Sequence, residues 1–214
     1  MDLSQGRLKN DLSRLLGFTK NDGTSPARRK EDPALNVFEP HHNPLNVSTW
    51  VPFGPHFVSA SGAPGHNRRE RWALAGVTDV VTLQRGNEMS SGLEAACLEH
   101  GWRWHHFPLS GKRLAVSTDA ESLRALAHWS RALAQEPGPK RVVLHCSAGL
   151  HRTGAGLYTL FRTYGMTRAE ALQHIAYARP LTHHELTRHT RRNGRMIDDI
   201  ETRFGDLWAT EQAP

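Results

Sequence analysis

The chain is short of cysteine. Its 214 residues contain two, Cys97 and Cys146, 49 positions apart. So sparse a pair gives neither a framework of disulfide staples nor the ligand spacing of a metal site. Long apolar runs are lacking too: no stretch approaches the ~18 consecutive apolar residues of a membrane-spanning helix. The opening MDLSQGRLKND has neither the basic start nor the apolar run of a secretory signal, so a cytoplasmic protein is expected. No internal repeat is visible. An acidic excess is also missing. Lys and Arg number 27 against 21 Asp and Glu, a formal charge of +6, and 14 histidines add to it in mild acid. That balance favours anionic partners without choosing among phosphoproteins, phosphoinositides, RNA or acidic protein surfaces.

The length suits one well-buried domain with appendages. The first 48 residues stand apart, because TKNDGTSPARRKEDP is charged and nearly devoid of apolar side chains; residues 1–48 read as a polar, partly disordered arm. Within it, Leu3, Leu8, Leu12, Leu15 and Leu16 suit one face of a short helix that Gly17 stops. Residues 49–205 read as the domain and 206–214 as a tail. In the domain, HFVSAS, TDVVTLQ, WRWHHFPL and RVVLHC read as strands. NRRERWALAG, SSGLEAACLEHG and TDAESLRALAHWSRALAQ read as helices, followed by helices over 154–164, 167–178 and 185–204, with Pro180 as a break between the last two. Strands joined by helical crossovers predict an α/β fold, a mostly parallel central sheet of about four to five strands flanked by helices on both faces. On its helix, Cys97 reads as a small buried hydrophobe, with redox partnership to Cys146 as the rival reading.

The chemistry concentrates in HCSAGLHRTG, His145 to Gly154. RVVLHC is the apolar run of a buried strand and GAGLYTLFRTYG a helix with a small-residue first turn, so the decapeptide is a strand-to-helix loop. The N–H groups of Ser147, Ala148, Gly149 and Leu150 converge there with the positive end of a helix dipole, which makes a site for a phosphate-sized anion. Gly149 permits a positive φ. Arg152 offers a planar fork for two oxygens of a phosphoryl group, which a lysine does not copy. The same field favours a nucleophilic thiolate at Cys146. Thr153 is expected to donate its hydroxyl toward the sulfur, His145 to orient the loop through a backbone bond, and His151 to point outward, either to substrate or to solvent.

A cysteine, five residues, an arginine and then Thr153, following an apolar strand and His145, resembles the signature of the cysteine-dependent phosphatases. The short chain resembles their dual-specificity and bacterial protein-tyrosine-phosphatase-like branch. The likeness covers about residues 55 to 180 in order of elements, while the sharp motif is confined to 145–154. It implies a phosphocysteine intermediate on Cys146, no cofactor, and a phosphorylated protein substrate, phosphotyrosine foremost and phosphoserine or phosphothreonine second.

One departure from the family pattern stands out. The family's proton-donating aspartate follows the strand that here reads WRWHHFPL, but this chain continues SGKRLAVSTD, with no carboxylate from Ser110 to Arg113. The first one downstream is Asp119, taken as the candidate general acid, although TDAE also reads as a capping box of Thr118 and Glu121. Glu88, His183, His184 and Glu185 are the alternatives. Without an acid, a good leaving group is favoured, which supports two rivals: an RNA 5′-triphosphatase or polyphosphate phosphatase with the same RTG-ending loop, and a phosphate-binding pseudophosphatase. No aromatic-plus-basic platform for stacking bases is visible, so RNA is not favoured. Lys112 and Arg113 are placed to line the mouth, and TRHTRRNGR reads as a solvated helix face. The His pairs at 41–42, 105–106 and 183–184 predict no metal site; on a strand, neighbouring side chains face opposite ways. The enzymatic reading requires the Cys146 sulfur against the loop amides and Arg152 not locked in a salt bridge elsewhere.

Overall fold

Val80 and Val81, adjacent in the chain, are both fully buried and belong to different layers of the molecule. That is the mark of a strand covered on both faces, and the computed structural model bears it out. It describes residues 48–89, 91–111, 116–188 and 195–206. Five strands, β1 (Val51–Phe53), β2 (His56–Ser61), β3 (Asp79–Thr82), β4 (Arg103–His106) and β5 (Arg141–His145), form one sheet in the order β1-β2-β5-β3-β4. All neighbours run parallel except β1, which returns antiparallel along β2. The sequence pattern does not predict β1. It is three residues long and contains Pro52, which only an edge strand tolerates.

The described helices are α1 (His66–Leu74), α2 (Leu93–His100), α3 (Val116–Ala134), α4 (His151–Thr163), α5 (Arg168–Ala178), α6 (Pro180–Thr187) and α7 (Arg195–Phe204). On one face Val80 and Val143 pack with Trp72 of α1, Leu93 and Cys97 of α2, and Trp102. On the other, Val81, Val142 and Leu144 pack with Leu123 and Leu126 of α3, Leu157 and Phe161 of α4, Ile175 of α5 and Ile200 of α7. Burial of apolar area of this kind drives the fold. The α7 helix is further fixed by Glu201, which accepts from the Tyr158 hydroxyl and, at 2.9 Å, from Arg162 Nε.

Three boundaries differ from expectation. Pro180 opens α6 instead of breaking the chain, because the first helical position leaves its N–H unused in any case. The helix expected over 185–204 is two, α6 ending at Thr187 and α7 starting at Arg195. The α3 helix starts at Val116, so Thr118 lies inside the first turn and is not its cap. The expectations for the N-terminal arm up to residue 47, for Lys112 and Arg113, for most of TRHTRRNGR and for residues 207–214 fall outside the described residues. Among the described residues no helix is long and apolar enough to cross a membrane.

Candidate active site

All four parallel strands end on the same side of the sheet, and β5 passes there through residues 146–150 into α4. This edge is where ligands bind in open α/β sheets. Three successive carbonyls of the loop are tied from outside. Ser147 O accepts from the Ala63 amide at 3.0 Å. Ala148 O and Gly149 O accept from Arg179 Nη1 at 3.1 and 2.6 Å, and Gly149 O accepts from the Thr182 hydroxyl at 2.7 Å. A peptide's N–H points opposite to its C=O, so fixing those oxygens outward turns the amides of Ala148, Gly149 and Leu150 toward the hollow of the loop. The Gly149 amide donates to Cys146 Sγ at 3.3 Å. Gly149 has φ +70°, and an added Cβ there would lie 2.2 Å from Arg179 Nη1 and 2.4 Å from Ser61 O. Only glycine fits that crossing of loop, strand end and arginine.

Arg179, between α5 and α6, is buried, and burial pushes its guanidinium down to about 10, with the nearby charge of Arg68 adding to the shift and the Cys146 sulfur opposing it. Arg68, also lowered chiefly by burial, donates to Ala63 O at 2.6 Å. Two buried cations thus stand behind the loop that is to hold an anion. The sequence analysis missed Arg179, because a cation before a proline reads as surface charge until the packing of α5 and α6 buries it.

Arg152 is engaged at the rim. Its Nη1 lies 2.6 Å from Glu88 Oε2 and 3.4 Å from the Leu109 carbonyl, and its Nη2 donates to Ser147 Oγ at 3.0 Å. Ser147 Oγ is also 3.3 Å from Glu88 Oε2 and receives Gln84 Nε2 at 3.1 Å. The guanidinium is therefore paired, contrary to the requirement of a free one. Its partner stands on the 3-10 turn Gly86–Glu88 and is 34% exposed, so the pair is open to competition from an arriving anion.

The other expected residues scatter. Asp119 is 1% exposed, and its carboxylate accepts from the Ser110 amide at 2.7 Å and from the Ser110 hydroxyl. Those bonds hold the segment after β4 in place; they do not present a proton to the loop. Thr153 is buried and its hydroxyl faces Ser61 O at 3.5 Å instead of the sulfur, since the first turn of α4 packs against the end of β2. His151 Nε2 lies 3.7 Å from Glu185 Oε2 and is mostly covered, neither on substrate nor in solvent. His183, His184 and Glu185 ride on α6, a helix and not the loop expected after Pro180; burial lowers His183. His145 is buried, its Nε2 is 2.8 Å from Thr82 Oγ1, and burial pushes it down to about 3.

No protein-family model and no curated protein matches the chain. Solved structures do. Tk-PTP aligns at TM-score 0.52 with 23% identity over 71% of this chain and 93% of its own. Kinase associated phosphatase, with its catalytic cysteine replaced by serine, aligns at 0.52 with 14% identity over 80% and 99%. PTPMT1 in complex with PI(5)P aligns at 0.50 with 16% identity over 71% and 92%. At this identity the likeness is one of fold: the chain has the α/β fold of the cysteine-dependent phosphatases. The resemblance first carried by HCSAGLHRTG thus extends to the architecture around it.

Proposed function

We propose that the chain is a cysteine-dependent phosphatase acting in the cytoplasm on phosphotyrosine in proteins. One observation carries the reading: Arg179, Thr182 and Ala63 tie back three loop carbonyls, leaving a ring of amides around the Cys146 sulfur. Such preorganised donors stabilise charge that develops on equatorial phosphoryl oxygens. Cys146 Sγ attacks phosphorus, the S–P bond forms as the bond to the leaving oxygen breaks, and the leaving oxygen takes a proton. Water then attacks the phosphocysteine, orthophosphate departs and the thiolate returns. Arg152 exchanges Glu88 for phosphoryl oxygens during this cycle.

Asp119 is engaged by Ser110 and Glu88 by Arg152. That occupancy favours a leaving group stable as an anion, a phenolate over a serine alkoxide. It also supports the second reading, a polyphosphate or triphosphate-ended RNA as substrate. Cys146→Ser decides the chemistry: it is expected to abolish hydrolysis of an aryl phosphate while vanadate binding persists, and full residual turnover ends the mechanism. A wild-type protein that binds phosphate analogues with no turnover is instead a pseudophosphatase. Faster phosphate release from triphosphate-ended RNA than from a phosphotyrosine peptide establishes the second reading.

A further inference from the structure

A line of polar side chains crosses three strands on the α1/α2 face of the sheet. Trp104 Nε1 of β4 is 2.9 Å from Thr82 Oγ1 of β3, and Thr82 Oγ1 is 2.8 Å from His145 Nε2 of β5. Thr82 and His145 are direct partners in the β3–β5 register. Both are fully buried, and the ring of His145 is packed by Trp72 at 5.8 Å between centroids.

The direction of each bond follows from donor counting. An indole N–H only donates, so Thr82 Oγ1 accepts from Trp104. A hydroxyl carries one proton, and the structure offers Thr82 no acceptor besides His145, so that proton goes to Nε2. Nε2 therefore presents a lone pair. The neutral ring, kept so by burial with Arg68 and His106 as the nearby like charges, must then carry its proton on Nδ1. Nδ1 makes no linear hydrogen bond to any described residue, but the Cys146 backbone lies close enough to favour a protonated ring. Trp104 is in turn held by stacking on His106 at 15° between planes, with His106 Nε2 2.7 Å from the Gln84 carbonyl.

We propose that Trp104 and Thr82 are positioning residues: their hydrogen-bond relay fixes His145 as the Nδ1–H tautomer, so that the ring turns an N–H toward the Cys146 backbone where the strand opens into the phosphate loop. The relay acts on Cys146 only through His145. Its use in catalysis rests on the phosphatase reading, whereas the tautomer itself does not.

The test reads the tautomer directly. Long-range 1H–15N correlation of labelled full-length protein at neutral pH, with the His145 signals assigned by their loss in His145→Gln, is expected to show Nδ1 protonated and Nε2 bare. A wild-type pattern with Nε2–H overturns the proposal without any variant. In Thr82→Val the Nδ1–H pattern gives way to a mixture, and alkylation of Cys146 by iodoacetamide slows about fivefold, the worth of one net hydrogen bond. Burial pushes the Cys97 thiol up to about 11, so its alkylation does not interfere. Trp104→Phe, which keeps an aromatic ring, brings in the second tautomer, while Thr82→Ser restores the wild-type pattern. An unchanged pattern in both Thr82→Val and Trp104→Phe overturns the relay. A protein with the expected tautomer and no turnover of any phosphate ester sinks the enzyme reading and leaves the relay standing.

Discussion

Glu88 and Arg152 form an ion pair 2.6 Å long across the mouth of the loop, joining the turn after β3 to the first turn of α4. A dianion entering the loop competes with this carboxylate for the guanidinium. With one partner a third exposed, the pair is worth no more than about 1 kcal/mol. Glu88→Gln is therefore expected to tighten inhibition by inorganic phosphate by up to about fivefold, read as a lower inhibition constant against an aryl phosphate. Weaker inhibition in the variant makes Glu88 a brace for Arg152 and not its competitor.

Arg179 donates to two loop carbonyls from a buried position. Its removal orphans Ala148 O and leaves Gly149 O with Thr182. An orphaned buried acceptor costs about 1–3 kcal/mol. Arg179→Ala should lower stability by that order and reduce kcat/KM by at least about tenfold, since the amides lose their fixed direction. Denaturant melts and steady-state kinetics on one preparation measure both, and a variant melting as wild type with full activity rejects the clamp.

Gly149 and Gly101 have nearly the same left-handed backbone, φ +70° and +68°, in opposite surroundings: a Cβ on Gly101 meets nothing within 4 Å. Gly101→Ala should cost only the backbone strain of about 1 kcal/mol, or roughly 2–4 °C in Tm. Gly149→Ala adds a collision with Arg179 and with the end of β2, and is expected to abolish vanadate binding. Equal effects of the two substitutions contradict the crossing described above.

Acid should weaken this protein in two stages. His145 takes a proton only near pH 3 when folded, and at its ordinary value when unfolded. Stability therefore falls as pH drops below about 6.5, by up to about 1.4 kcal/mol per unit. Asp79 is fully buried, bonded by Thr78, Arg103 and His105; these bonds outweigh burial and lower its carboxyl. Its contribution is present above the ordinary carboxylate value of about 4 and is lost as pH falls through the lower folded one. Thermal melts from pH 7 to 3 should show a decline beginning near pH 6.5, with a shallower slope in His145→Asn between pH 6 and 4.

The occupied carboxylates make a kinetic forecast. For a series of aryl phosphates, kcat should fall steeply as the pKa of the leaving phenol rises, as for expulsion without proton donation. Asp119→Asn should leave that slope unchanged while lowering Tm through loss of its bonds to Ser110. A slope that steepens in Asp119→Asn restores Asp119 as the general acid.

What could be read from the sequence divides along physical lines. RVVLHC and TDVVTLQ announce buried strands because runs of β-branched residues need burial on both faces, and Gly149 is legible because a tight strand-to-helix loop demands a positive φ. The missing aspartate after WRWHHFPL was equally plain, being a matter of residue identity. The bonds of Asp119 to Ser110, of Glu88 to Arg152 and of Arg179 to the loop were not legible. Each joins segments brought together by the tertiary fold, and a charged side chain has no periodicity to betray its partner. The short β1 strand and the start of α6 at Pro180 failed for another reason: local punctuation has two meanings, and neighbouring elements choose between them.

The two thiols lie in different layers, Cys97 with α1 and α2 and Cys146 with α3 and α4, and the sheet runs between them. A peroxide that converts Cys146 to its sulfenic acid therefore finds no resolving thiol within the described domain. Recovery must come from a small-molecule or protein thiol supplied from outside, so the activity of this chain should follow the cell's reducing capacity more closely than it would if it carried its own disulfide safeguard.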